Sequence, residues 1–117
     1  MKRTARKIEI LNLNTQFRRI YSKGSSSARP SIVVYAKPNG LSFNRSGITV
    51  SKKIGKAVVR NRAKRRLREV FRQNASRIKS GFDFVLIARS RTVYANFSVL
   101  QNDFLAAAKE IGVLKNE

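Results

Sequence analysis

The chain of 117 residues contains no cysteine and no histidine. The first absence excludes disulfides, thiolate chemistry and cysteine-based zinc sites. The second excludes imidazole acid–base catalysis. Acidic residues are scarce as well, with 6 Asp plus Glu against 26 Lys plus Arg. No two of these carboxylates lie at a local or helical spacing suited to paired acid–base work. A glycine-rich phosphate loop is missing too, because Gly55-Lys56 lacks the preceding glycine and the following Ser or Thr. Catalysis by the protein alone is therefore not expected, and no metal ligand set can be read from the sequence. No apolar run approaches the roughly 18 residues of a membrane span. Met1 to Ile10 is basic and lacks the apolar stretch of a signal peptide, so a cytoplasmic location is expected.

What the chain does have is a hydrophobic content of 42% and one overwhelming charge. The first predicts a true core and a single domain over residues 1–117, preceded within it by a basic arm at residues 1–13. The second, a formal charge of +20, destabilises a compact monomer unless a polyanion neutralises it, and disfavours a dimer without that partner. From Ile10 to Arg68 there is no acidic residue, while 15 Lys or Arg fall in that stretch. A run of charge is usually a solvated face, but a solvated face interleaves both signs to limit repulsion. A membrane surface fits poorly, because no segment sets large apolar anchors against a charged face. The expectation is a nucleic-acid-binding domain.

Hydrophobic periodicity organises the chain. Asn14 or Thr15 can cap a short helix over about Gln16 to Ser22, with Phe17 and Tyr21 on one face. Residues 23–30, rich in Gly and Ser, predict a loop. Ser31 to Lys37 predicts a strand, Pro38-Asn39-Gly40 a turn, and Leu41 to Ser51 a second strand. A long helix is expected from about Lys56 to Ile78, where Val59, Ala63, Leu67, Val70 and Phe71 follow the helical period. Phe82 to Ala88 is almost continuously apolar, as a strand buried on both faces should be. Ser90 to Asn96 predicts a loop, and a last helix runs to about Ile111. The expected architecture is α+β, one sheet with helices packed on it.

Between Lys52 and Arg72 lie 10 Lys or Arg in 21 residues. On a helix these form a dense array in which arginine forks can hold phosphates bidentately. The candidate RNA-binding residues are Lys52, Lys53, Lys56, Arg60, Asn61, Arg62, Lys64, Arg65 and Arg68. Two have other possible roles. Arg60 falls near the apolar arc and can be anchored locally, and Asn61 can fix the helix start through backbone hydrogen bonds. A second candidate surface joins Phe17 and Tyr21 on the first helix to Tyr35 on the neighbouring strand, a groove where single-stranded bases can stack. Phe17 is compatible with either core or groove.

The run GITVSKKIGKAVVRNRAKRRLREVF, Gly47 to Phe71, resembles the signature of the protein component of bacterial ribonuclease P. Its centre is Arg60-Asn61-Arg62, followed by Lys64-Arg65 and Arg68. FRRIYSKG, Phe17 to Gly24, is similar to that family's first helix and loop, and DFVLIARS, Asp83 to Ser90, to its last strand. The resemblance implies a two-layer α/β sandwich, with one mixed sheet of three to four strands, three helices and a left-handed β–α–β crossover, similar to a ribosomal-protein domain. The general rule for parallel crossovers would have predicted the opposite hand. It also implies a protein that binds a catalytic RNA and precursor tRNA and assists removal of the 5′ leader, with hydrolysis performed by the RNA and its bound Mg²⁺. On this basis Lys52 to Arg68 docks the catalytic RNA, and a groove of Phe17, Tyr21, Tyr35, Thr49 and Ser51 holds the leader. Arg66 departs from the family pattern by adding charge beside Arg65. A ribosomal-type RNA-binding protein and an autonomous nuclease are the competing readings; the lack of a carboxylate or histidine cluster argues against the second.

Overall fold

A computed structural model describes residues 8–10 and 14–115. Its sheet has four main strands and one short addition at the edge. The chain runs β1 (Ile8–Ile10), α1 (Asn14–Lys23), β2 (Ser25–Arg29), β3 (Ile32–Pro38), β4 (Asn44–Thr49), α2 (Ala57–Gln73), β5 (Phe82–Ala88), α3 (Ser90–Tyr94) and α4 (Phe97–Glu110). The strand order is β1-β4-β5-β3-β2. β5 lies parallel to β4 and antiparallel to β3, so the sheet is mixed and α2 forms the crossover of a β–α–β unit. Most of the expected arm at residues 1–13 lies outside the described residues; within it, Ile8–Ile10 forms β1, parallel to β4.

The apolar run of β5 is explained by what covers it. Phe84, Leu86 and Ala88 face α2 and α4, packing with Leu67, Val70, Phe71, Leu100 and Phe104. Val85 alternates to the opposite face, where it meets Ile20 of α1, flanked by Phe17, Tyr35 and Ile87. The main body is the expected pair of layers, and α1 adds cover on the far side of the sheet.

Three local expectations change. The predicted loop at residues 23–30 contains β2, because Ser25 to Arg29 pairs residue by residue with Ala36 to Ile32. Its composition disfavours a strand, but an available strand edge overrides that weak preference. The predicted loop Ser90 to Asn96 contains the short helix α3. Thr92 secures it: its hydroxyl accepts the Arg89 N–H at 2.8 Å and donates to the Ser31 carbonyl at 2.6 Å. The long helix stops at Gln73 rather than Ile78. There the buried Asn74 turns its amide back to the Val70 carbonyl at 2.8 Å, and a 3₁₀ turn, Ala75–Arg77, follows.

Gly24 ties α1 to the sheet. Its N–H donates to the Ile20 carbonyl at 2.8 Å. A Cβ at this position would stand 2.6 Å from that carbonyl oxygen and 2.9 Å from the oxygen of Ala36, both backbone atoms that cannot rotate away. Gly24→Ala is expected to destabilise the fold by about 2 kcal/mol, the usual cost of overpacking. Urea unfolding of wild type and variant measures it, and equal midpoints would show that α1 can shift without penalty.

Candidate nucleic-acid interface

The basic segment begins in a 3₁₀ turn, Lys52–Ile54, whose two lysines are exposed. Lys56 is the exposed residue before α2. Because Ala63, Leu67, Val70 and Phe71 bury one stripe of α2, the opposite side must carry the cations into solvent. Asn61, Arg62, Arg65 and Arg68 are exposed there, and Lys64 is partly exposed. Arg60 behaves differently. It is half-buried and donates to the Gly55 carbonyl at 2.9 Å, so it closes the turn that precedes the helix. Arg66 is also drawn inward, donating to the Ala95 carbonyl and linking α2 to the connection between α3 and α4.

The aromatic groove assembles on the other face of the sheet. Phe17, Tyr21 and Thr49, with Asn14 and Arg18, line an open cleft of about 440 Å³. Tyr21 meets Tyr35 edge-on at 5.0 Å and Phe17 at 6.4 Å. The Tyr21 and Thr49 hydroxyls are hydrogen-bonded at 3.0 Å, which fixes the phenol across the α1–β4 gap. Phe17 is both core and groove: it packs against the Ile20–Val85 cluster and lines the cleft. Neither Tyr35, which backs the Tyr21 ring, nor Ser51 is among the lining residues. β4 ends at Thr49, and Ser51 stands exposed at the start of the 3₁₀ turn.

The sequence also left a cleft unnoticed. Ile10, Ser46, Ile48, Lys64, Arg68, Phe71, Arg72 and Leu86 enclose about 410 Å³ between α2 and strands β1, β4 and β5. Its apolar floor comes from separate strands, and no local pattern signals that they meet.

Internal pairing concentrates the positive charge. Asp83 accepts Arg45 Nε and Nη2, each at 2.7 Å, and the Asn39 amide at 3.0 Å. Asp103 accepts the Ser31 hydroxyl at 2.6 Å. Glu110 is engaged by Ser27 and Arg29, and Glu69 by Arg72 and Gln73. These four carboxylates are therefore engaged by partners within the chain, Asp83 buried and Glu69 and Glu110 at the surface. Among the described residues no three or more acidic, histidine or cysteine side chains cluster as a metal site.

The comparisons with known proteins agree with this geometry. The Ribonuclease P family model matches residues 5–112. The chain belongs to the ribonuclease P protein family. It is 38% identical over 109 residues to the ribonuclease P protein component of Alkaliphilus oremlandii, covering 93% of this chain and 96% of that one. Against the corresponding protein of a Thermoanaerobacter species the identity is 47% over 97 residues, covering 83% and 84%. The solved RNase P protein of Staphylococcus aureus superposes with a TM-score of 0.80 at 37% identity, covering 93% of this chain and all of that one. That of Thermotoga maritima gives 0.78 at 36%, covering 88% and 97%. The mixed α+β sheet is thus the architecture of this family.

The pairing has a titration signature. Hydrogen bonds from Arg72 and Gln73 hold Glu69 below the ordinary glutamate range, and Ser27 and Arg29 do the same for Glu110. Each pairing is present above the unfolded glutamate pKa and lost as pH falls through the lower folded value. Carbon-detected NMR titration should find both glutamates depressed. Arg72→Ala should return Glu69 toward the ordinary range and leave Glu110 unmoved.

Proposed function

We propose that this chain is the protein subunit of a cytoplasmic ribonuclease P, binding the catalytic RNA and the 5′ leader of precursor tRNA. The observation that carries this reading is the cationic outer face of α2 in a chain of this family, where nearby Glu69 is already engaged by Arg72 and Gln73. Lys52, Lys53, Lys56, Arg62, Lys64, Arg65 and Arg68 approach phosphates of the catalytic RNA, with Arg60 holding the turn from which α2 starts. Arginine forks suit this work because they meet two phosphate oxygens at once.

The leader strand lies in the groove on the α1 side, its bases against Phe17 and Tyr21. Tyr21 is held edge-on by Tyr35 and at its hydroxyl by Thr49, so its ring is set before RNA arrives. Mg²⁺ belongs, in this proposal, to the RNA, where it supports hydrolysis. The protein's residues bind and orient. Self-repulsion at a charge of +20 keeps the free protein monomeric until RNA neutralises it.

The decisive assay is cleavage of precursor tRNA by the catalytic RNA at low Mg²⁺, with and without this protein; stimulation is expected, and its absence would sink the proposal. Replacing Arg65 and Arg68 with Ala should weaken catalytic-RNA binding and reduce the slope of log affinity against log salt by about two. Phe17→Ala should cost about 1–3 kcal/mol of precursor affinity and spare mature tRNA, and Tyr35→Ala, which only frees the Tyr21 ring, should cost less with the same selectivity. Equal losses for both ligands would point to core damage instead.

A further inference from the structure

A third cleft lies on the flank of α2 away from β4. Arg62, Arg65, Arg66, Glu69 and Phe97 enclose about 390 Å³ there, within the range of small-ligand sites. Three of its five lining side chains are guanidinium groups. Glu69 is the one carboxylate in the lining, set against three guanidinium groups, and its hydrogen bonds go to Arg72 at 2.5 Å and Gln73 at 2.6 Å, so the cleft keeps a positive excess.

Arg66 is the unusual member. One end of its guanidinium is satisfied by the Ala95 carbonyl. Its Nε is shielded from solvent and has no hydrogen-bond partner. A shielded, unpartnered donor on a charged group is costly, and a negative charge seated in the cleft beside that guanidinium lowers the cost electrostatically. Burial, and after it the charge of Arg62, depress the Arg66 pKa, which is the electrostatic mark of the same crowding. Phe97 adds a partly exposed ring at the mouth, where α4 begins.

We propose that this cleft seats a single RNA nucleotide, its backbone phosphate held by Arg62, Arg65 and Arg66 and its base laid on Phe97. The occupant is RNA rather than an acidic protein segment, because forks beside an aromatic face match a phosphate followed by a base. The inference deepens the reading of α2 as an RNA-docking helix and rests on it. It extends that footprint over the α4 side of the helix and brings in two residues, Arg66 and Phe97, that lie outside the candidate set drawn from the sequence.

Two measurements on the full chain test it. In the first, salt-dependent binding of the catalytic RNA is compared for wild type, Arg66→Ala, Arg66→Lys and Phe97→Leu. Arg66→Ala should weaken binding roughly tenfold and lower the salt slope by about one. Arg66→Lys should weaken binding while keeping the slope, because it retains the charge and loses the fork. Phe97→Leu keeps an apolar side chain and should lose affinity without change of slope. A purely structural Arg66 would lower the melting temperature and leave the slope at its wild-type value, and that result overturns the proposal.

The second measurement needs no RNA. Inorganic phosphate is titrated into the wild-type protein while the Arg66 Nε–H and Phe97 amide signals are followed by NMR. Saturable shifts that Arg66→Lys weakens are expected, and their absence overturns the anion site. If the wild-type protein fails to bind the catalytic RNA but shows these shifts, the assigned RNA partner is wrong and the anion site stands. If RNA binds with a steep slope and neither variant nor phosphate has an effect, the docking role of α2 stands and this cleft is excluded.

Discussion

Everything in this fold depends on β5. It pairs in parallel with β4 and antiparallel with β3, and its two faces are buried by different helices. Burying a side chain the size of Leu or Phe contributes about 1.5–3 kcal/mol. Phe84, Val85 and Leu86, all fully buried, therefore hold α2 and α4 against one face and α1 against the other. The proposed catalytic-RNA surface and the leader groove stand on opposite sides of this strand. Their separation is fixed by the packed sheet together with the helix α2 that lies on it.

Charge is organised on the same principle. A protein this cationic cannot neutralise itself, but it can choose where neutralisation happens. Asp83, Asp103 and Glu110 are spent on Arg45, Ser31 and Arg29, at positions that close strand ends and dock α4 to β2 and β3. Glu69 is the one described carboxylate on α2, and it faces Arg72 and Gln73 near the helix end. The central cations of α2 are left facing water. Acidic residues thus stabilise the scaffold, and repulsion collects where a polyanion can relieve it.

Much of this was legible in the sequence. The helical stripe of α2, the continuous apolar run of β5 and the Phe17–Tyr21 spacing follow from periodicity, because each reports its own burial. β2 was not legible, since Ser25 to Ser27 carry no strand preference and pair only because β3 offers an edge. The end of α2 was missed because Asn74 continues the helical pattern while its side chain folds back on the backbone. Ser51 was assigned to the groove with Thr49 through the family resemblance, but β4 ends at Thr49 and Ser51 opens the 3₁₀ turn. The short helix α3 depends on Thr92 reaching a carbonyl 61 residues earlier, which no local window contains.

By itself the sequence determined the excess of positive charge and the helix that carries it. Net charge, the absence of cysteine and histidine, and the amphipathic period are properties of composition and spacing that folding cannot alter. Its motif run also placed the chain in a family. Only the tertiary structure decided which cations remain available. Arg60 was marked in the sequence by its place near the apolar arc and is indeed turned to the Gly55 carbonyl, but nothing in the local pattern separates Arg66 from Arg65, and it is turned to the Ala95 carbonyl. It also decided that the flanks of α2 are clefts, because their walls come from β4 on one side and the start of α4 on the other. The physical reason is that burial is set by long-range packing, and an arginine's role depends on whether packing leaves it to water or to a carbonyl.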